Sequence, residues 1–377
     1  MTTVNKVIYS NTTFQNCSNI VSVDCNYVYW KNNSMSSAFH NCSNLTSVNN
    51  ISQNVTNMYQ TFYDCSKLVN APVIPNSVTN MSYTFRDCSN LVNSPVIPNS
   101  VTKMDRTFYG CSNLVNAPVI PNNVTNMFQT FYGCSNLVNA PVIPDSVTNM
   151  SWTFFNCSNL VNAPIIPNSV TGMSYAFSQC SNLVNAPVIP NSVTDMSRTF
   201  SGCSKLVNAP EIPNNVTNMS QTFWDCSNLV NAPVIPNSVI NMFETFYQCY
   251  NIVNAPVIPN SVIDIFGTFR LCSNLTGNIY IQSENISNTM KCFYNTSLTK
   301  NVYIPYTYEN GEYTSTYNSF INNSYDENGT TNGVYLKNIQ SIKIEDYATT
   351  ETNDGIYLDS YIGNETSIIV PHGAWIE

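Results

Sequence analysis

Apolar positions recur along most of this chain at a fixed step of 23 residues. Cys42, Cys65, Cys88, Cys111, Cys134, Cys157, Cys180, Cys203, Cys226, Cys249 and Cys272 keep that step without an insertion. So do Phe39 to Phe269 and Met35 to Met242, with Ile265 in the last methionine slot. Within one unit the near-constant residues are Met81, Thr84, Phe85, Cys88 and Leu91, at offsets 0, 3, 4, 7 and 10. These offsets match one face of a helical turn and not the alternation of a strand, so a short helix or 3₁₀ segment is expected there. Pro95 and Pro98 disfavour helix for themselves and for the residues before them, which makes Leu91 to Pro98 extended. Neither proline can donate to a ladder, so each coil is left a very short strand around Val96-Ile97. Asn99-Ser100 then turns the chain, and Val101 points back inside.

One such unit cannot bury its apolar stripe alone, but stacking supplies the missing wall. The expected fold class is a repeat solenoid, leucine-rich-repeat-like with 23-residue coils. Each coil carries a short parallel strand plus a helical turn, and a small β-rich C-terminal domain follows. At about 4.8 Å per coil the Cys-marked coils give a rod on the order of 50 Å long. Residues 1–34 read as an N-terminal cap with a degenerate coil at Cys17-Ser-Asn-Ile20, residues 35–305 as the solenoid with its closing coils, and residues 306–377 as the β-rich domain. After Cys272 the period is expected to fail, because Cys292 follows only 20 residues later. Gly277-Asn-Ile-Tyr-Ile281 reads as a closing coil and Val302-Tyr-Ile-Pro305 as one last strand. Turn signals at Asn310-Gly311, Asn328-Gly329 and Asp354-Gly355 punctuate the tail.

The pattern Phe-x-x-Cys-x-x-Leu, followed by Ile-Pro and an inward Val, resembles the Treponema-type leucine-rich repeats of BspA-like surface proteins. The resemblance covers about residues 35–275, from which the chain departs by an extra Pro in each coil. It implies a curved solenoid of the kind that family uses for adhesion to host matrices or cells. Met1 to Trp30 holds one Lys and no apolar run of signal-peptide length, and so reads as neither secretory signal nor lipobox. No stretch approaches the roughly 20 apolar residues that cross a bilayer, so no membrane insertion is expected. Ile304-Pro-Tyr-Thr-Tyr-Glu-Asn-Gly311, Thr316-Tyr-Asn-Ser-Phe-Ile321 and Gly333-Val-Tyr-Leu336 are loosely similar to segments of phage tail and fibre proteins. Together these make a phage virion component (tail, baseplate or fibre) the leading expectation. A BspA-like adhesin on a bacterial or protist cell surface is one alternative, and a purely structural decoration or assembly protein is another. Sequons such as Asn80-Met-Ser and Asn41-Cys-Ser make a eukaryotic secretory route awkward, because glycans would crowd the stack.

Composition narrows the chemistry. Only 9% of residues are charged, far below the roughly 25% of ordinary soluble domains. The net charge of −9 argues against a nucleic-acid partner, which needs clustered Lys and Arg. The 14 cysteines show neither the CxxC pairs of a zinc site nor the uneven clusters of a disulfide framework. They read as buried free thiols acting as small hydrophobes. His40 and His372 are the only histidines, no nucleophile system is visible, and the carboxylates are scattered rather than paired. No enzyme, cofactor or metal is expected. Asp326, Glu327, Asp346, Asp354 and Asp359 read as a solvated turn surface rather than a calcium site.

What remains is the face that varies from coil to coil. Tyr83, Arg86, Arg106, Tyr109, Tyr132, Trp152, Phe155, Tyr175, Arg198, Trp224 and Tyr247 all stand two or five residues after a ladder Met, among Phe128, Phe243 and Arg270. Drift in so polar a chain should yield Asn and Ser, whereas aromatics and Arg are the types enriched in binding hot spots. The expected partners are a host cell-surface glycan or protein, or neighbouring virion proteins. A homo-oligomer contact through the same stripe is the alternative.

Overall fold

Backbone hydrogen bonding decides how each coil closes and how it joins the next. The computed structural model describes residues 7–26, 28–296, 300–305, 315–323, 334–338, 347–352 and 355–361. In a typical coil the N–H groups of Met81, Tyr83, Phe85 and Asp87 donate to the carbonyls of Lys103, Asp105, Thr107 and Tyr109 in the next coil. The N–H groups of Thr84, Arg86, Cys88 and Leu91 instead bond back to Met81, Tyr83, Phe85 and Cys88, each three residues earlier. Alternate donors thus stack the coils while the others fold them, and both sets of buried amides are satisfied.

This segment is therefore a run of consecutive β-turns and not the expected helical turn. Tyr83 (φ 59°) and Asp87 (φ 58°) are left-handed, and the same two positions repeat in every coil. A left-handed third residue is the mark of a type II turn, and it interrupts any helix. The inward positions at offsets 0, 3, 4, 7 and 10 are the corners of these turns, which mimic a helical stripe.

The parallel pairing is shorter than expected and lies elsewhere. Single-residue parallel bridges join Asn57, Asn80 and Lys103 in one column and Asn70, Asn93 and Asn116 in another. Val96-Ile97 forms no strand. Prolines on either side remove the donors a ladder needs, so pairing falls on the asparagines outside the Pro pair. Where the prolines disappear, real strands return: β5 (Ile279–Tyr280) pairs in parallel with β6 (Lys300–Ile304) through Ile279 and Val302. At the N-terminal end β1 (Val7–Tyr9) pairs with β3 (Val28–Trp30), and β2 (Ser22–Asp24) with β4 (Ser47–Asn49), all in parallel.

The core is a set of one-residue columns. Phe39 to Phe269 are fully buried and stack nearly parallel, with centroids 5.5–5.9 Å apart. Phe14 adds a rung below Phe39 at 5.1 Å, so the degenerate first coil joins the stack. Thr and Cys have a shared polar role. The Thr84 hydroxyl donates to Met58 O in the preceding coil at 2.8 Å, and the Cys88 thiol donates to Phe62 O at 3.0 Å. Each column thus covers a carbonyl that the turns leave pointing at the next coil. The cysteines are more than small hydrophobes.

That role explains the irregular coil after Cys272. Phe293 stacks on Phe269 at 5.8 Å, and Asp264 bridges Asn288, 24 residues on. Here Cys292 occupies the threonine slot before Phe, and Thr296 the cysteine slot after it. The period does not fail: one residue is inserted and two short donors exchange places. The stack continues into α1 (Ser315–Asn323), where Phe320 lies 6.1 Å from Phe293 and Thr316 Oγ1 donates to Ser283 O at 2.6 Å. β7 (Val334–Asn338) pairs in parallel with β6, and β8 (Tyr347–Thr352) and β9 (Gly355–Tyr361) form an antiparallel pair. The expected turns at Asn310-Gly311 and Asn328-Gly329 lie outside the described residues.

All fourteen cysteines are free, and every one but Cys17 is buried. Burial pushes the Cys25 thiol up to about 11 and the ladder thiols well above the ordinary range. Since the thiolate is the reactive form, a disulfide-exchange reagent should titrate about one thiol rapidly in the native protein. In denaturant it should reach all fourteen; prompt native labelling of several thiols would contradict the burial.

Candidate functional site

The left-handed turn positions separate into two columns with different residue usage. Six residues after the ladder Met stand Asp64, Asp87, Gly110, Gly133, Asn156, Gln179, Gly202 and Asp225, mostly the types that tolerate positive φ. Two residues after the Met stand Tyr83, Arg106, Gln129, Trp152, Tyr175, Arg198, Gln221 and Glu244, with φ between 48° and 60°. A left-handed L-residue costs roughly 1–2 kcal/mol, and Gly there costs nothing sterically. Gly is used in this column at Gly267 and no other described coil. Large side chains are held here against the backbone preference, which argues that the side chains themselves are needed.

These side chains do not project singly. The column five residues after the Met forms a stack on the outside of the solenoid. His40 lies on Tyr63 (4.7 Å), the Arg86 guanidinium sits between Tyr63 (4.9 Å) and Tyr109 (4.5 Å), and Tyr109, Tyr132 and Phe155 follow at 4.3 and 4.6 Å. Beyond a gap, Trp224 stacks on Tyr247 at 5.7 Å, and Arg270 lies 5.2 Å from Tyr247 and from Tyr294. The column at offset two runs beside it. Arg106 lies over Tyr83 (5.0 Å) and Phe128 (4.6 Å), and Trp152 stacks on Tyr175 at 3.7 Å while lying 5.0 Å from Phe155. Burial against this stack raises the Tyr132 phenol, helped by Tyr109 beside it, and burial raises the Asp87 carboxyl although Arg86 pairs with it at 3.2 Å.

Every one of the eleven expected site residues is half-buried. The rings and guanidiniums cover one another, so the stripe is a packed outer layer rather than a row of separately projecting side chains. The structure sorts the eleven into two groups. Tyr83, Arg86, Arg106, Tyr109 and Tyr132 build the continuous stack toward the N-terminal end. Phe155, Tyr175, Arg198, Trp224 and Tyr247 line a cavity of about 390 Å³, with Trp152 packed behind Phe155 and Tyr175. Ser178, Gln179, Ser201, Gln221 and Glu244 complete its lining, and sequence reasoning missed them. The available signal was the column read downward: the aromatic series lapses at Ser178 and Ser201 and then resumes.

A second surface was also missed. Val73, Val96, Val119, Val142, Ile165, Val188 and Val234 are 85–90% exposed, one per coil, with Glu211 in the slot between the last two. This ladder lies in the Pro-Val-Ile-Pro segment and shares no residue with the cavity. Among the described residues no group of His, Cys, Asp and Glu could hold a metal ion. The carboxylates Asp326, Glu327, Asp346 and Asp354 lie outside the described residues. Among those residues, too, no helix is long and apolar enough to cross a membrane.

A stack of turn-built coils with a variable outer column defines a leucine-rich-repeat protein, a class whose members generally bind partners or serve structural roles. The family model of BspA-type leucine-rich-repeat regions (6 copies) matches residues 5–115, 105–230, 197–325 and 240–356, and the chain belongs to that family. Among solved structures, it is similar to a leucine-rich repeat protein from Bacteroides ovatus, at 21% identity over 89% of this chain and 79% of that one, with a TM-score of 0.61. A leucine rich cell surface protein from Faecalibacterium prausnitzii aligns at 21% identity over 73% of this chain and 83% of that one, with a TM-score of 0.39. The T. pallidum leucine-rich repeat protein aligns at 26% identity over 41% of this chain and 71% of that one, with a TM-score of 0.34. No curated protein sequence matches the chain.

Proposed function

We propose that this protein is a BspA-type adhesin displayed on a bacterial cell surface, and that the ring-and-guanidinium face is what it docks. The observation that carries the reading is the offset-two column, where Tyr, Arg and Trp occupy left-handed positions that Gly would fill without strain. Family membership supports a binding role over catalysis. The segment whose loose resemblance points to a phage virion lies largely outside the described residues, whereas the BspA-type family match spans most of the chain, so the surface adhesin is the preferred reading. The partner is a glycan or protein of a host cell or matrix. The test compares labelled wild type with a Trp152→Ala/Trp224→Ala double variant on host cells and matrix-coated surfaces, at matched melting temperature. At least a tenfold loss of binding is expected, since hot-spot aromatics carry about 2 kcal/mol or more each. Unchanged binding would make the face ordinary surface.

Self-association is a second reading, favoured by the exposed Val ladder rather than by the variable face. Seven residues at 85–90% exposure offer on the order of 900 Å², close to the roughly 800 Å² each partner contributes to a standard stable interface. The occupant is a second copy, ladder against ladder. Sedimentation velocity should show a dimer that Ile165→Lys converts to monomer; a wild-type monomer at tens of micromolar would end this reading.

A further inference from the structure

The outer stack has two missing rungs. Ser178 and Ser201 replace the aromatic or Arg of neighbouring coils, leaving Phe155 and Trp224 to face each other across three coil steps. At about 4.8 Å per coil the walls stand roughly 14 Å apart, which leaves room for two more rings at the step of the stack itself. The cavity of about 390 Å³ falls within the range of small-ligand sites. Ser178 and Ser201 are 2% and 5% exposed, so their side chains have little access to solvent other than through the notch they line. Both face the notch and can donate and accept. Gly202, with φ +74° and no side chain, leaves the room in which the Gln179 amide lies. Along the rim Arg198 donates to Gln221, whose amide donates to Glu244 at 2.8 Å, so the rim offers both donors and acceptors with its charges balanced.

We propose that this notch binds a neutral saccharide, with two sugar rings completing the stack between Phe155 and Trp224. The C–H faces of pyranose rings suit the apolar faces of the two walls, while their hydroxyl edges meet the Ser178, Ser201 and Gln179 groups on the floor. A flat aromatic ligand would leave those floor hydroxyls unpaired, at a cost for each buried group. A nucleotide would bring phosphate to a chain of net charge −9 beside Glu244. This inference rests on the adhesin reading and gives its recognition face a defined pocket.

The test fills the missing rungs. Ser178→Tyr/Ser201→Tyr restores at both positions the residue type of the neighbouring coils, so the backbone already accommodates it. The probes are neutral di- and trisaccharides of glucose, galactose, mannose and N-acetylhexosamines, titrated into the full chain with tryptophan emission as readout. At least one should quench or shift the emission saturably, and the plugged variant should weaken that response at least tenfold with no loss of melting temperature. Should the plugged variant fold poorly, Phe155→Ser removes the opposite wall, keeps Trp224 as reporter and should show the same loss. No response from any probe, or an undiminished response in these variants, would overturn the proposal. Cell binding that survives the plug but is lost in Trp152→Ala/Trp224→Ala would reject the saccharide notch and keep the docking face. Saccharide binding without cell binding would do the reverse.

Discussion

Raising the pH above 9 should unfold this solenoid far more steeply than it would an ordinary protein of its size. Cys65, Cys88, Cys111, Cys134, Cys157, Cys180, Cys203, Cys226, Cys249 and Cys292 are all buried, and burial raises each thiol well above its ordinary value of 9.0. In the unfolded chain the same thiols ionise near that ordinary value. Above it the unfolded state binds fewer protons than the native state, so stability falls as pH rises. Their contribution is complete below pH 9 and is lost progressively above it, at about 1.4 kcal/mol per thiol per pH unit. Ten thiols acting together at pH 10 amount to about 14 kcal/mol, the size of a whole domain's net stability. Ionisation also removes the S–H donor that bonds the phenylalanine carbonyl of the preceding coil, as in Cys134 to Phe108 at 3.1 Å. Melting temperature measured under reductant should hold steady from pH 7 to 8.5 and then fall sharply. Each Cys→Ser replacement, which keeps a donor but cannot ionise there, should lower the slope by about one proton. A flat profile to pH 10.5 would refute this account of the cysteine column.

That column shows where a single sequence is legible and where it is not. Stacking demands the same residue at the same place in every coil, so Met, Phe, Cys and Leu announce the architecture by recurrence alone. Local conformation is not announced in the same way. Corners of successive β-turns fall at helix-like spacing, and only the Asp, Asn and Gly at positions such as Asp87, Gly110 and Asn156 betray the left-handed residues that rule a helix out. The strand was misplaced because Val96-Ile97 has the right propensity, while Pro95 and Pro98 remove the donors. The coil at Cys292 looked broken because cysteine was followed as a label rather than as a hydrogen-bond donor that threonine can replace. The aromatic members of the site were readable as departures from a polar background. Its floor was not, because Ser178 and Ser201 look like ordinary surface until the neighbouring rungs place them in a gap.

Removing one interior rung should show how the coils share stability. Phe131 is fully buried and stacks on Phe108 at 5.6 Å and on Phe154 at 5.7 Å. Phe131→Ala therefore deletes two stacking contacts and leaves a cavity that neighbouring coils cannot close, because the hydrogen bonds from Phe131 N to Thr153 O and from Thr153 Oγ1 to Met127 O fix the rungs at their spacing. The expected cost is about 3–5 kcal/mol, at the upper end for core truncations. In a repeat array each coil is stabilised only by its two neighbours, so the loss is felt at both interfaces of one coil rather than across the whole molecule. Hydrogen exchange should accordingly show lost protection centred on residues 108–154, with coils near Phe223 and Phe246 little changed. Ser151→Ala, on the half-buried outer side of the adjoining coil, should be nearly neutral by comparison. Equal loss of protection along the entire stack would mean that the solenoid unfolds as one cooperative body. A cost below 1 kcal/mol would mean that the column relaxes around the missing ring, and the phenylalanine stack would then not be the element that holds the coils together.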